Sequence, residues 1–353
     1  MVHLIVLRRT KSLPYASILI PFSSITLGII LSAIILYFLA GISPLTLFSL
    51  IVYSFTSPVV VKDTLILTLT GLSLVIAFKA SIWNIGAEGQ IHMGMLVAAW
   101  IALFTPLTSA PILAKITCIL AGALAGALWA TFAGVLKAYV GLDEVPITLM
   151  LNYVAYYVLD LLVYGPWRGK FTYGYIRTDE IPESLWLTPI PGTTAHIEVL
   201  VIAVIIGLFT WLMFKYTIIG LRLRILGSNP EFLRSTGVNV KHVMILALAL
   251  SGAIAGIVGA LYLLGDTHRI SYPVEAQTAG YGYLGILVAW LSMLDVRAIP
   301  LAAYVVSSLR ATGIAMQIAG LGGTAIVLLF MGSVLLTYTI AKVFSEYTIK
   351  IQR

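Results

Sequence analysis

From Ile18 onward the chain is a succession of long apolar runs separated by short polar punctuation. The runs have lengths near the roughly 20 residues that a helix needs to cross about 30 Å of hydrocarbon. None of the short alternating segments of a membrane barrel interrupts them. Divided at breaker residues, the pattern predicts about ten spans, at 18–40, 63–79, 85–105, 111–137, 146–164, 197–216, 243–264, 279–293, 299–316 and 321–341. The two short runs near 279 and 299 could instead form one re-entrant unit. The expected fold is all-α: a polytopic transmembrane helical bundle with broken or re-entrant segments. It is read as one membrane domain over 1–353, with the bundle at 18–341. The first run follows Arg8, Arg9 and Lys11 but is too long for a signal-peptide h-region and lacks a convincing small-residue cleavage site, so it reads as the first anchor.

Composition agrees with a lipid setting. The 353 residues are 60% hydrophobic and 10% charged, with a mean hydropathy of +1.03, whereas a soluble domain carries about 25% charged residues. The net charge of +7 raises nucleic-acid binding, but the basic residues are scattered at run ends and form no stripe. Their bias orients the spans instead. A cytoplasmic N-terminus puts Lys79, Lys137, Lys215, Arg222, Arg224, Arg234, Lys241, Arg297, Lys342, Lys350 and Arg353 inside with the N-terminal cluster, and both termini come out cytoplasmic. The sole cysteine, Cys118, permits no intrachain disulfide or cysteine cluster. No G-x-x-x-x-G-K-[ST] phosphate loop, His/Cys metal cluster or nucleophile elbow occurs. The chain therefore cannot be an ATPase by itself, and any energy source lies elsewhere.

Two connectors are long. The outer one, 165–196, carries Pro166, Pro182, Pro189 and Pro191 with Trp167 and Trp186, and suits either a docking surface or a connector anchored by interfacial aromatics. The inner one, 217–242, contains G-S-N-P-E-F-L-R-S-T-G, Gly227 to Gly237. There Ser228 or Asn229 can cap a short helix, with Pro230 at its first position, Glu231 in its first turn and Gly237 closing it. A short capped helix outside the membrane can seat in a groove of a soluble subunit and move as a rigid body.

That loop resembles the coupling loop of permease subunits of ABC importers, in which a Glu is followed six residues later by a Gly; Glu231 and Gly237 keep the interval, although Phe232 and Leu233 stand where alanines are usual. N-I-G-A-E-G-Q (Asn84 to Gln90) resembles the signature of permeases of the nucleoside and simple-sugar type, relatives of the ribose and branched-chain amino acid permeases. D-E-V-P-I-T-L-M-L-N-Y-V-A (143–155), A-G-Y-G-Y-L-G-I-L-V-A-W (279–290) and S-L-R-A-T-G (308–313) follow in order. Leu284 and the stretch 294–302 depart from the family pattern. The resemblance implies a non-catalytic transport subunit, driven by separate ATPase subunits that use ATP and magnesium. It also implies pairing with a second permease, a paralogue or a second copy, and delivery by a solute-binding lipoprotein at the cell membrane.

The candidate path residues are Asn84, Glu88, Gln90, Asn152, Tyr153 and Arg310. Gly86 and Gly89 suit an unwound start of a span, and irregular backbone at membrane depth is tolerated where it faces protein or water. An intramembrane carboxylate needs compensation, so Glu88 either ties helix ends together through backbone N–H groups or meets cargo. His92, one turn on, reads as a packed bundle residue. Asn152 either bonds between helices or holds a hydroxylated ligand, and Tyr153 could stack on a base. Arg310 suits snorkelling or an ion pair, with Glu88 and Glu275 as candidate partners. The alternative class is a secondary transporter or intramembrane enzyme that uses Glu88, His92 and Arg310. Finally, L-A-G-A-L-A-G (120–126) and L-S-G-A-I-A-G (250–256) carry small-xxx-small spacings that allow close helix contact; the topology gives the two spans opposite directions, so they are not read as a parallel repeat.

Overall fold

The computed structural model describes residues 3–8, 15–170, 174–278, 280–322 and 325–352; Arg9, Lys11, Ala279 and Arg353, to which the sequence reading assigned roles, lie outside them. Its helices are α1 (Ala16–Ala40), α2 (Pro44–Thr56), α3 (Val60–Lys79), α4 (Ala87–Phe104), α5 (Pro111–Val135), α6 (Glu144–Tyr164), α7 (Ile197–Tyr216), α8 (Ile218–Ser228), α9 (Pro230–Ser235), α10 (Val240–Tyr262), α11 (Tyr281–Leu291), α12 (Ile299–Ile318) and α13 (Ala325–Glu346). Among the described residues nine helices are long and apolar enough to cross a membrane. They match nine of the ten predicted spans. α5 and α10 each run on through a π-helical turn, Leu136–Val140 and Leu263–Thr267, which moves their ends beyond the predicted boundaries.

The tenth span, predicted at 279–293, differs. α11 has 11 residues, about 17 Å of helix against about 30 Å of hydrocarbon. The chain nevertheless runs from one end of α3 to the other between α10 and α12. Asp266, at the end of α10, pairs with Lys62 at 2.6 Å. Trp290, at the far end of α11, packs 5.7 Å from Phe78 and 5.4 Å from Trp83. The irregular stretch 268–278 and the half-helix α11 share this passage. Its apolar run is too short for a helical span because half of the path is not helix.

Four further elements escaped the hydrophobic pattern. α2 is apolar but has 13 residues; it packs on α12, where Tyr304 donates to the Phe55 carbonyl. α8 occupies the first half of the 217–242 connector, with Thr217 capping it through the Gly220 N–H at 3.1 Å. Strand β1 (His3–Arg8) pairs antiparallel with β2 (Tyr347–Gln352), so the two ends of the chain lie side by side in an otherwise helical protein.

The core is sealed by glycine contacts. α5 and α10 run antiparallel, and a Cβ on Gly256 would lie 2.0 Å from the Gly122 carbonyl oxygen. On the neighbouring seam, a Cβ on Gly94 of α4 would lie 2.1 Å from the Gly256 carbonyl oxygen. Backbone stands against backbone here, the close approach that small residues permit where apolar lipid supplies no solvophobic drive between helices. The two small-xxx-small motifs thus meet each other and hold α4 rigidly against α10.

Candidate functional site

α4 begins inside the bundle, after the irregular stretch Ile82–Asn84, and the N–H groups at a helix start need acceptors. α6 supplies them from one stripe. Glu144 Oε1 accepts from the Trp83 N–H at 3.1 Å, Thr148 Oγ1 from the Ile85 N–H at 3.3 Å and Asn152 Oδ1 from the Gly89 N–H at 2.8 Å. Positions 144, 148 and 152 share a helix face because the spacing is four. Asn84 and Gln90 complete the lock as a reciprocal amide pair, at 3.0 and 2.9 Å, while Asn84 also accepts from the Gly86 N–H and donates to Ser251 of α10 at 2.9 Å. Asn84, Gln90 and Asn152 are all buried, and their polar atoms are largely spent on protein.

Glu88 is fully buried at 0% exposure. One carboxylate oxygen accepts from the Thr278 hydroxyl and the other from the backbone N–H of Gly282, in the first turn of α11. The carboxylate stands at the N-termini of both α4 and α11, where the helix dipoles favour negative charge. Gly282 is needed for that approach, because a Cβ there would lie 2.3 Å from the Glu88 nitrogen. His92 sits one turn along α4. Its Nδ1 lies 2.8 Å from the Glu88 carbonyl and its Nε2 3.2 Å from the Val274 carbonyl. Both ring nitrogens are engaged by backbone.

Arg310 does not reach Glu88 or Glu275 as its partner. It is paired with Asp63 of α3, and Tyr281 donates its hydroxyl to the other Asp63 oxygen while its ring lies 4.9 Å from the guanidinium. α3, α11 and α12 are thereby tied together at one buried ion pair. Asp63 was not among the candidate residues, because a carboxylate at the start of a span looks like a boundary group.

Next to this triad is a cavity of about 590 Å³ whose lining includes Tyr283, Arg310, Gln317 and Glu275 with Ile314 and Met331. Tyr283 joins it to the locked helix start, because its hydroxyl accepts from Asn152 Nδ2 at 3.1 Å. Of the six path candidates, only Arg310 lines this cavity. Asn84, Glu88, Gln90 and Asn152 are gathered behind it, and Tyr153 turns away, 45% exposed and edge-on to Tyr156. Tyr283 and Gln317 were missed. Tyr283 lay within the Y-G-Y-L-G motif and could have been noted; a single Gln317 near the end of a span gave no signal.

At the Lys79 end of the bundle, α9 has the cap its sequence predicts. The Asn229 side chain accepts from the Phe232 N–H at 3.0 Å, Pro230 takes the first helical position and Gly237 adopts φ 79° just past the end. Glu231 and Phe232 are exposed and Leu233 is buried. Glu231 meets Arg234 at 3.0 Å, one turn on, with its side chain 74% exposed. The platform beneath is α8, whose Gly227 carbonyl accepts from Ser81 at 2.8 Å in the α3–α4 turn. Lys137, paired with Glu144, also lies at this end.

A bundle of long apolar helices, with an interrupted helix pair in its interior and a capped helix projecting from one end, is a multi-pass membrane transport subunit. The chain belongs to the family described as "Branched-chain amino acid transport system / permease component", whose model matches residues 59–339. It is similar to the glucose ABC transporter permease protein TsgB13 of Haloferax volcanii, 28% identical with 81% of this chain and 76% of the relative covered. The nucleoside ABC transporter permease protein NupB of Lactococcus lactis is 26% identical, with 78% of each chain covered. The guanosine ABC transporter permease protein NupP of Bacillus subtilis is 28% identical, with 71% of each covered. No solved structure matches. As a permease component the chain is a transport subunit and works with other subunits of its system.

Proposed function

We propose that this chain forms half of the translocation path of an ABC importer for nucleosides or simple sugars, passing them through alternating access driven by separate ATPase subunits that bind α9. In this reading ATP and magnesium belong to those partners and the chain binds neither. A second permease, a paralogue or a second copy, closes the path, and a solute-binding lipoprotein delivers cargo to the 165–196 side. The chain then resides in the cell membrane with both termini cytoplasmic. Supporting that orientation, Lys79, Lys137, Lys215, Arg224, Lys241 and Arg297 gather at the α9 end, as the positive-inside bias requires.

The observation that carries the proposal is one unbroken chain of contacts from α9 to the cavity. α8 bears on the α3–α4 turn, the α4 start is bonded to α6 and α11, and Tyr283 of α11 lines the cavity. A displacement of α9 has a mechanical route to the cargo path. The cargo class is supported by charge: Arg310 is already neutralised by Asp63, leaving the Tyr283 hydroxyl, the Gln317 amide, the Glu275 carboxylate and apolar walls. These suit an uncharged, hydroxyl-bearing solute with an apolar face, such as a nucleoside or sugar, better than a phosphate ester. The names of the relatives fall in the same class.

The test is reconstitution with the ATPase and solute-binding subunits in proteoliposomes. Uptake of labelled nucleoside or sugar should require ATP. Uptake by the chain alone, driven by a proton gradient, would overturn the proposal in favour of a carrier that uses Glu88, His92 and Arg310 as titrating groups.

A further inference from the structure

A second cavity, of about 470 Å³, opens at the α9 end, where α3 and α7 finish, between those helices, α8 and the α11–α12 turn. Four cations line it, Lys79, Lys215, Arg224 and Arg297, against one carboxylate, Asp295. That carboxylate is spent: Arg297 donates to it from its backbone N–H at 3.0 Å and from its guanidinium at 2.8 and 3.2 Å. These bonds hold the Asp295 pKa below its usual range. Among the described residues no carboxylate lies within ion-pair distance of Lys79, Lys215 or Arg224. The partly buried Lys79 ammonium has only the face of Phe214, 4.5 Å away, and Lys215 lies over Trp211 at 4.6 Å and Tyr216 at 4.8 Å. A half-buried ammonium with a ring on one side and no acceptor on the other lacks the anion that would satisfy it. The rest of the wall is apolar: Trp211, Phe214, Met293, Leu294 and Val296.

We propose that this cavity binds the headgroup of an anionic phospholipid, with the phosphate between Lys79, Lys215 and Arg224 and the glycerol and upper acyl carbons against Trp211 and Leu294. Three cations without a carboxylate partner among the described residues, two at the last turns of the membrane-spanning α3 and α7 and one on α8, form with the apolar wall a basic pocket at headgroup depth. A free phosphate would use the cations and leave the apolar wall without a role. The proposal rests on the α9 end lying at the membrane boundary and is independent of the cargo.

The test is lipid retention and thermal stabilisation of the detergent-purified full chain, titrated with short-chain phosphatidylglycerol, phosphatidylcholine or inorganic phosphate. Phosphatidylglycerol should bind and stabilise, while phosphatidylcholine should not. Each charge removed (Lys79→Gln, Lys215→Gln, Arg224→Gln), singly or combined in a triple cavity variant, should weaken phosphatidylglycerol binding roughly fivefold. The charge-matched triple Arg222→Gln, Lys241→Gln, Lys342→Gln, outside the cavity, should bind like the wild type. Arg224→Gln alters an exposed side chain and tests the site even where the triple cavity variant folds poorly. Equal losses in the cavity and control variants would show surface charge only and overturn the proposal. So would phosphate that stabilises as fully as the lipid and competes with it, because the site would then be one for a free anion.

Discussion

The start of α4 and the cavity beside α11 are only a few residues apart, yet they treat polar groups in opposite ways. At the α4 start, three side chains of α6, a reciprocal amide pair and the Glu88 carboxylate are committed to backbone or to one another. In the cavity, the Gln317 side chain has no hydrogen-bond partner among the described residues, and the Tyr283 hydroxyl, bonded to Asn152 and Tyr156, borders the same open space. Intramembrane polarity therefore has two meanings. Satisfied groups hold an interrupted helix together where water cannot, and groups facing open space are left for something that passes. In the proposed reading this contrast puts Glu88 with the anchors and Tyr283 and Gln317 with the cargo.

Breaking the anchors should cost stability first. Asp63→Ala strands the Arg310 guanidinium, 13% exposed, and the Tyr281 hydroxyl; loss of one partner of a buried pair costs about 3 to 5 kcal/mol. Asp63→Ala should therefore show the largest drop in melting temperature, and Asp63→Asn a smaller one. Next comes Glu88→Leu, which leaves the Thr278 hydroxyl and the Gly282 N–H without an acceptor at about 1 to 3 kcal/mol each. Glu88→Gln keeps one oxygen acceptor and should melt closer to the wild type with uptake largely retained. A Gln variant that melts normally but loses one nucleoside and not another would move Glu88 to the cargo side of the comparison.

A smaller effect is expected outside the bundle. Asn229→Ala removes the cap of α9 at a cost of about 1 kcal/mol. The loss should appear as faster amide exchange over 231–235 and weaker capture of the ATPase subunit, with bundle melting unchanged. Glu231→Ala should weaken that capture with little effect on stability, since its ion pair with Arg234 is exposed and such pairs contribute little. Wild-type capture by both variants would separate α9 from coupling. The smallest stability change belongs to Gln317→Ala, within about 0.5 kcal/mol, because an exposed side chain with no partner among the described residues leaves none of them unpaired.

How much of this was legible in the chain depends on how local the cause is. Nine spans and the α9 cap follow from length and capping chemistry, which act within one element; the two glycine motifs were legible as close-packing faces, but that they meet each other is seen only in the fold. The half-helix α11 was blurred into a span because an apolar stretch bordered by Gly280 looks alike whether its first half is helical or irregular. The Asp63–Arg310 pair joins residues 247 apart, and neither nearby charge points to the other. The Glu144, Thr148, Asn152 stripe was readable as an i, i+4, i+8 pattern. Its role was not, because the acceptor-hungry backbone it serves lies some 60 residues earlier. Glu88 could be singled out as an expensive charge, while its two donors become visible only when α11 is folded against α4.

The separation of anchor from path is tested most directly by the initial rate of ATP-driven nucleoside and sugar uptake in proteoliposomes containing the complex with Gln317→Ala. If the cavity is the cargo path, apparent affinity for the transported solute should fall about tenfold, the equivalent of one lost hydrogen bond of about 1.4 kcal/mol, at unchanged melting temperature and ATP hydrolysis. Wild-type uptake of every solute by that variant would contradict the account and send the search for the path back to Asn84, Gln90 and Asn152.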